Sequence, residues 1–159
     1  MNCNVRELEP QVLMPALLAL MEETGTVPLV ISGSSMTPFL VHGRDTVYLS
    51  KVTAPLKRGD MILYRRDCGA YILHRIFRSE GDTYTLVGDA QTMLEPGIRA
   101  DQVLAVVTAV RRKGKLLKQG SFWWNFFEKS LDPDGSSAAC RENRLFLFCK
   151  IAELMERNR

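Results

Sequence analysis

From Val27 onward the chain is cut into short apolar runs by glycine, aspartate and proline, and this punctuation constrains the fold more than any other feature. Runs of about 4–8 residues rich in β-branched and aromatic side chains, bounded by turn formers, read as strands rather than helices. The pattern predicts strands over Val27–Ser32, Thr46–Ser50, Met61–Arg65, Tyr71–Arg78, Thr83–Val87 and Val103–Arg112, with Leu116–Lys118 as a further short one. Glycines 43, 59, 69, 81, 88, 97 and 114 fall between or beside these runs, as turns require.

Helical spacing is confined to the two ends. Leu8, Val12, Leu13, Leu17, Leu18 and Met21 predict an amphipathic helix over Arg6–Thr24, with Pro10 in its first turn, Pro15 as a kink or early stop, and Gly25 as its terminator. Ser137 is a candidate cap for a last helix running toward Arg157, with Leu145, Phe146, Phe148, Cys149, Ala152 and Met155 on its apolar side. The expected architecture is therefore mainly β, a sheet body with a helix at each end. The 159 residues fit one domain: a helical segment 1–26, a β core 27–118, and an aromatic segment with the C-terminal helix over 119–159.

Composition removes several classes of function. A net charge of +3 is too small for a dedicated nucleic-acid binder, so no nucleic-acid partner is expected. Cys3, Cys68, Cys140 and Cys149 form no zinc-ligand spacing with either histidine, and no phosphate-cradling glycine loop is present. No metal or organic cofactor is expected. Reduced thiols in a cytoplasmic setting are the easier reading, with two disulfides as the alternative that four cysteines allow. Val12–Met21 is too short for a spanning helix, which needs about 20 apolar residues, and lacks the regions of a secretory signal.

Chemistry concentrates in two places. Ser35 lies in Gly33-Ser34-Ser35-Met36-Thr37-Pro38-Phe39-Leu40, and His74-Arg75 follows downstream as one of only two sites with a histidine. A serine hydroxyl needs a neighbouring base to act as a nucleophile near neutral pH. An imidazole, with an ordinary pKa of about 6.5, is already mostly neutral there. The alternatives are ordinary: Ser35 as a turn residue, His74 as a satisfied structural histidine, and His42 as a solvated loop residue.

Three segments in order resemble the signal peptidase I family, which shares its catalytic fold with LexA-type self-cleaving repressors. They are Gly33–Leu40, then Leu56-Lys57-Arg58-Gly59-Asp60-Met61-Ile62, then Leu73-His74-Arg75-Ile76 with Leu86-Val87-Gly88-Asp89-Ala90. The resemblance spans roughly Val27 to Val110 and implies a coiled β-sheet catalytic core. It implies Ser35 as nucleophile and His74 as base, at the position where most bacterial members carry lysine. The histidine in a His-Arg pair is similar to the archaeal and endoplasmic-reticulum-type branch.

Under that resemblance Asp89, in the Gly-Asp step, is the first candidate to orient His74. Glu95 is the second, standing where the endoplasmic-reticulum-type enzymes carry an aspartate. Asp60 reads as a strand cap. The oxyanion hole would use the Ser35 N–H with Ser32 or Ser34, because Gly33 occupies the position of the hydroxyl that lysine-type members add. The expected activity is serine endopeptidase cleavage of an extended peptide or protein. Two other readings stay open: a non-catalytic or partner-dependent peptide-binding module of the same fold, and a LexA-type self-processing regulator. Residues 1–34 leave no room for a DNA-binding head and hold no Ala-Gly or Cys-Gly dipeptide, and Cys68-Gly69 lies beyond the nucleophile.

The basic run Arg111, Arg112, Lys113, Lys115 and Lys118 stands beside Trp123, Trp124, Phe126 and Phe127. Such a segment suits peripheral contact with a membrane, or with a membrane-anchored partner. The plainer expectation is a solvated hairpin followed by aromatics packed into the core.

Overall fold

The computed structural model describes residues 9–122, 124 and 125. Helix α1 spans Pro10–Thr24, with Pro10 at its start and Gly25 closing it in the left-handed conformation (φ 78°), its N–H bonded to the Met21 carbonyl at 2.9 Å. Pro15 sits inside this helix on an exposed position, and the helix runs through it rather than ending there. Residues 6–8 of the expected helix lie outside the described residues. So do Trp123, Phe126, Phe127 and the whole expected C-terminal helix.

The body is one antiparallel sheet of strands β1 (Thr26–Val30), β2 (Thr46–Ser50), β3 (Met61–Arg65), β4 (Tyr71–Glu80), β5 (Thr83–Val87), β6 (Glu95–Arg99), β7 (Val103–Arg112) and β8 (Lys115–Lys118). They run in the order β1-β2-β7-β3-β4-β5-β6, with β8 paired to β7. The mainly β class is therefore what the described residues form.

Among the strands four bounds differ from expectation, two of them by a single residue, since β1 begins at Thr26 and β8 at Lys115. β1 ends at Val30; Ile31 still bonds through its N–H to the Asp45 carbonyl and through its carbonyl to the Gly43 N–H, in the turn before β2. β4 continues to Glu80. β6 was not expected at all: it contains Pro96 and Gly97 and shows no alternation. It is held by pairing along β5, across a register shift between Tyr84 and Leu86, and a proline is tolerated on such an edge.

Directly opposed residues of antiparallel neighbours share a face, and successive residues alternate between faces. Met61 and Leu63 of β3 point into one core with Val27, Val47, Leu49, Ala105, Val107, Phe39 and the buried side of α1. Ile62 and Tyr64 point into a second core with Ile76, Leu86 and Ile98. β3 is buried on both faces, which is why its sequence reads as a continuous apolar run. The pair Ile62–His74 puts His74 on the second face, and Met61–Arg75 puts Arg75 on the first.

Candidate active site

The Ser35 turn is anchored from below. Met36, Phe39 and Leu40 are buried in the first core, so the intervening backbone is pinned and Ser35 is left half-buried at the rim. Gly33 adopts φ 90°, a left-handed conformation that a side chain would strain, and its N–H donates to His42 Nδ1 at 3.1 Å. His42 is exposed, as expected, but it tethers this turn. Trp124 packs edge-on against Phe39 at 6.2 Å and is fully buried, so this member of the aromatic run belongs to the core. Ser32 and Ser34 are exposed on the same turn. The Ser35 N–H donates to no group among the described residues.

The Ser35 carbonyl fixes the turn to the far side of the sheet. It accepts the Ala90 N–H at 2.9 Å. A Cβ built on Gly88 would lie 2.6 Å from that same oxygen, so only glycine allows the approach. Val87 pairs with Arg75, and Gly88, the next residue, leaves the sheet beside His74. Ser35 is thus bonded to the turn Gly88-Asp89-Ala90, which follows the Arg75–Val87 pair, and His74 is the residue next to Arg75 on β4. No hydrogen bond joins the Ser35 hydroxyl to the His74 ring.

His74 is 2% exposed. Its Nδ1 lies 3.2 Å from the Tyr64 hydroxyl and 3.8 Å from Glu95 Oε2, while Nε2 bonds to no group among the described residues. The Tyr64 hydroxyl donates to Glu95 Oε2 at 2.6 Å. Arg66 grips the same carboxylate with Nε and a terminal nitrogen, each at 2.6 Å. The arrangement follows from the sheet: Tyr64 is two residues beyond the position opposite His74, and Glu95 pairs with Leu86 on the same face.

The electrostatics are set by burial first. Burial pushes His74 down to about 4; the Glu95 charge opposes this, Arg66 reinforces it, and Asp89 opposes it weakly. The ring is neutral at pH 7. The bidentate Arg66 contact holds Glu95 below the ordinary carboxylate range despite partial burial. Burial and then the Glu95 carboxylate raise Tyr64 above the ordinary phenol value, so its hydroxyl keeps its proton.

Asp89 stands elsewhere. Its two carboxylate oxygens take Arg75 Nε and a terminal nitrogen at 3.0 Å each, and both side chains are buried. Arg75 also donates to the Gly59 carbonyl at 3.0 Å and lies 5.2 Å over the Phe39 ring. Adjacent residues of β4 face opposite ways, and Asp89 follows Arg75 to its face rather than meeting the His74 ring. Asp60 accepts the Lys57 N–H at 2.9 Å and Gln119 Nε2 at 2.8 Å, a local turn and packing role.

Tyr64 and Arg66 are the members of this cluster that sequence reasoning missed. Tyr64 looked like one more apolar strand residue, and only the β3–β4 register reveals what it faces. Among the described residues no group of three or more His, Cys, Asp or Glu could hold a metal ion. No described helix is long and apolar enough to cross a membrane. Comparison with family models, curated proteins and solved structures finds no match to this chain.

Proposed function

We propose that this chain is a serine endopeptidase resembling signal peptidase I, with Ser35 as nucleophile and His74 as base. The supporting observation is that the Ser35 carbonyl is bonded to the turn that leaves β5 just past the Arg75–Val87 pair, next along β4 to His74, a neutral imidazole whose Nε2 has no hydrogen bond among the described residues. Ser35 Oγ adds to the scissile carbonyl carbon as its proton passes to His74 Nε2. The oxyanion takes the Ser35 N–H, with Ser34 or Ser32 as the second donor. Collapse breaks the C–N bond, and the leaving amine takes the proton from His74. Water then adds to the acyl ester by the same base, releasing the acid and Ser35.

A substrate strand has an edge available. β3 pairs with Tyr71–Arg75, but β5 pairs with β4 only from Arg75 onward, so Tyr71–His74 carries no strand on that flank among the described residues. An extended peptide adding there would gain main-chain hydrogen bonds and deliver its carbonyl toward the Ser35 turn. The family likeness suggests small side chains at the first and third positions before the cut, and a membrane surface or membrane-anchored partner as the place of encounter.

One observation favours a second reading, a peptide-binding module of the same fold: Ser35 and His74 are not hydrogen-bonded. Catalytic hydrogen bonds often tighten only with substrate in place, which keeps the peptidase ahead. Self-processing at Cys68-Gly69 has less support, since Gly69 is tied into the β3–β4 hairpin by its N–H to Arg66 and its carbonyl to Gln11. The deciding experiment maps cleavage of a diverse peptide library by mass spectrometry, with phospholipid present, for wild type and Ser35→Ala. Cuts made only by wild type establish the peptidase. Peptide retention without serine-dependent cuts establishes the binding module.

A further inference from the structure

The His74 ring is oriented by something other than the carboxylate that usually touches a catalytic imidazole. We propose that Tyr64 is the positioning residue of His74, its phenolic oxygen accepting the Nδ1–H while its own proton goes to Glu95. This rests on the reading of His74 as the base.

The protons along one chain of contacts can be placed one by one. Arg66 supplies two N–H donors to Glu95, so this carboxylate is ionised and can only accept. Tyr64 at 2.6 Å must then donate to Glu95. Its single proton is spent, and toward His74 it offers only a lone pair. The 3.2 Å contact with Nδ1 therefore requires the proton on Nδ1. In a neutral ring that leaves Nε2 bare, the form needed to take a proton from Ser35.

The groups acting on His74 from the packed elements are Tyr64 on β3, Arg66 just beyond it, Glu95 on β6 and Asp89 in the turn after β5. Among the described residues only Tyr64 touches the ring by hydrogen bond. The neutral hydroxyl keeps the full carboxylate at 3.8 Å, near enough to steady the imidazolium formed during attack. It is also far enough that burial still decides the resting charge.

His42 supplies an internal contrast. Its Nδ1 accepts the Gly33 N–H, so its proton belongs on Nε2, the opposite tautomer. The chain has only these two histidines.

The test is long-range ¹H–¹⁵N correlation of the two rings in the whole chain at pH 7, with His42→Asn assigning the signals. It is repeated on Tyr64→Phe and Glu95→Gln, with kcat and KM measured alongside. The wild-type His74 is expected to show a protonated Nδ1 and a bare Nε2, and Tyr64→Phe a mixture of tautomers. Turnover in Tyr64→Phe should fall roughly 10- to 100-fold, by analogy with the loss of the outer hydrogen-bond partner of a metal-ligating imidazole, with KM little changed. A wild-type ring protonated on Nε2 overturns the proposal without any variant having to fold. So does a Tyr64→Phe protein with unchanged tautomer and turnover. The expected spectra in a protein that cleaves no peptide would uphold Tyr64 as the residue that sets the ring and reject the peptidase reading alone.

Discussion

Gly88 lies so close to Ser35 that a Cβ there would stand 2.6 Å from the Ser35 carbonyl oxygen. Its φ lies outside the left-handed region, so space rather than backbone freedom demands glycine here. Gln91 closes the same gap from its side chain, 3.0 Å from that Cβ.

Gly88→Ala should therefore push the Ser35 turn outward while leaving the sheet in place. Overpacking of this kind costs about 1–3 kcal/mol. Turnover should suffer more, by roughly 100-fold, since a shift of about 1 Å at a reacting group has that effect. Thermal unfolding and peptide cleavage measured on the same preparation would check this. A variant that unfolds earlier but cleaves at the wild-type rate would remove the turn from the mechanism.

Burial of His74 makes stability depend on pH. Its native pKa, about 4, lies below the ordinary 6.5, so between these values the unfolded chain binds a proton that the folded chain refuses. The contribution is present in full above pH 6.5 and is lost as pH falls toward 4, on the order of 3 kcal/mol across the window. Glu95, also held low, adds its own loss at lower pH. Urea unfolding of wild type and His74→Asn from pH 7.5 to 4 should show the wild type losing its advantage over that range. Parallel curves would contradict the buried neutral ring.

Asp89→Asn separates structural support from orientation of the base. The substitution strips half of a buried ion pair and leaves Arg75 uncompensated, which costs about 3–5 kcal/mol. A lowered melting temperature is expected. The acid limb of kcat/KM in the molecules that remain folded should hardly move, because Asp89 is the weakest of the influences on His74. A large shift of that limb would put Asp89 back on the imidazole.

Legibility in the sequence followed the range of the interactions. β2, β3, β5 and β7 were readable to their end residues because alternation and turn formers are local signals. β6 was not, because Glu95-Pro96-Gly97 carries no strand preference and is extended only by its neighbour. Ser35 and His74 stood out as residue types, one in an unusual Ser-Met-x-Pro setting and the other in a chain poor in histidine. What each acid holds was not readable. From sequence Asp89 ranks ahead of Glu95 as the partner of His74, and only the register, which assigns successive residues of β4 to opposite faces, sends Arg75 to Asp89 and His74 to Tyr64.

Glu95→Gln tests the far end of the Tyr64 contact by a sign that intuition reverses. Removing a carboxylate next to an imidazole takes away a charge that favours protonation, and here it also leaves Arg66 unopposed near the ring. His74 should become still harder to protonate, so the acid limb of kcat/KM should move to lower pH. Turnover at pH 7 should nevertheless drop by roughly tenfold, since the one carbonyl oxygen of Gln cannot serve both Arg66 and Tyr64 as the carboxylate does, and the Tyr64 proton is no longer committed. The pH–rate profile of this variant against wild type reads both effects at once. An acid limb moving to higher pH would mean that Glu95 does not act on His74 as its 3.8 Å separation indicates.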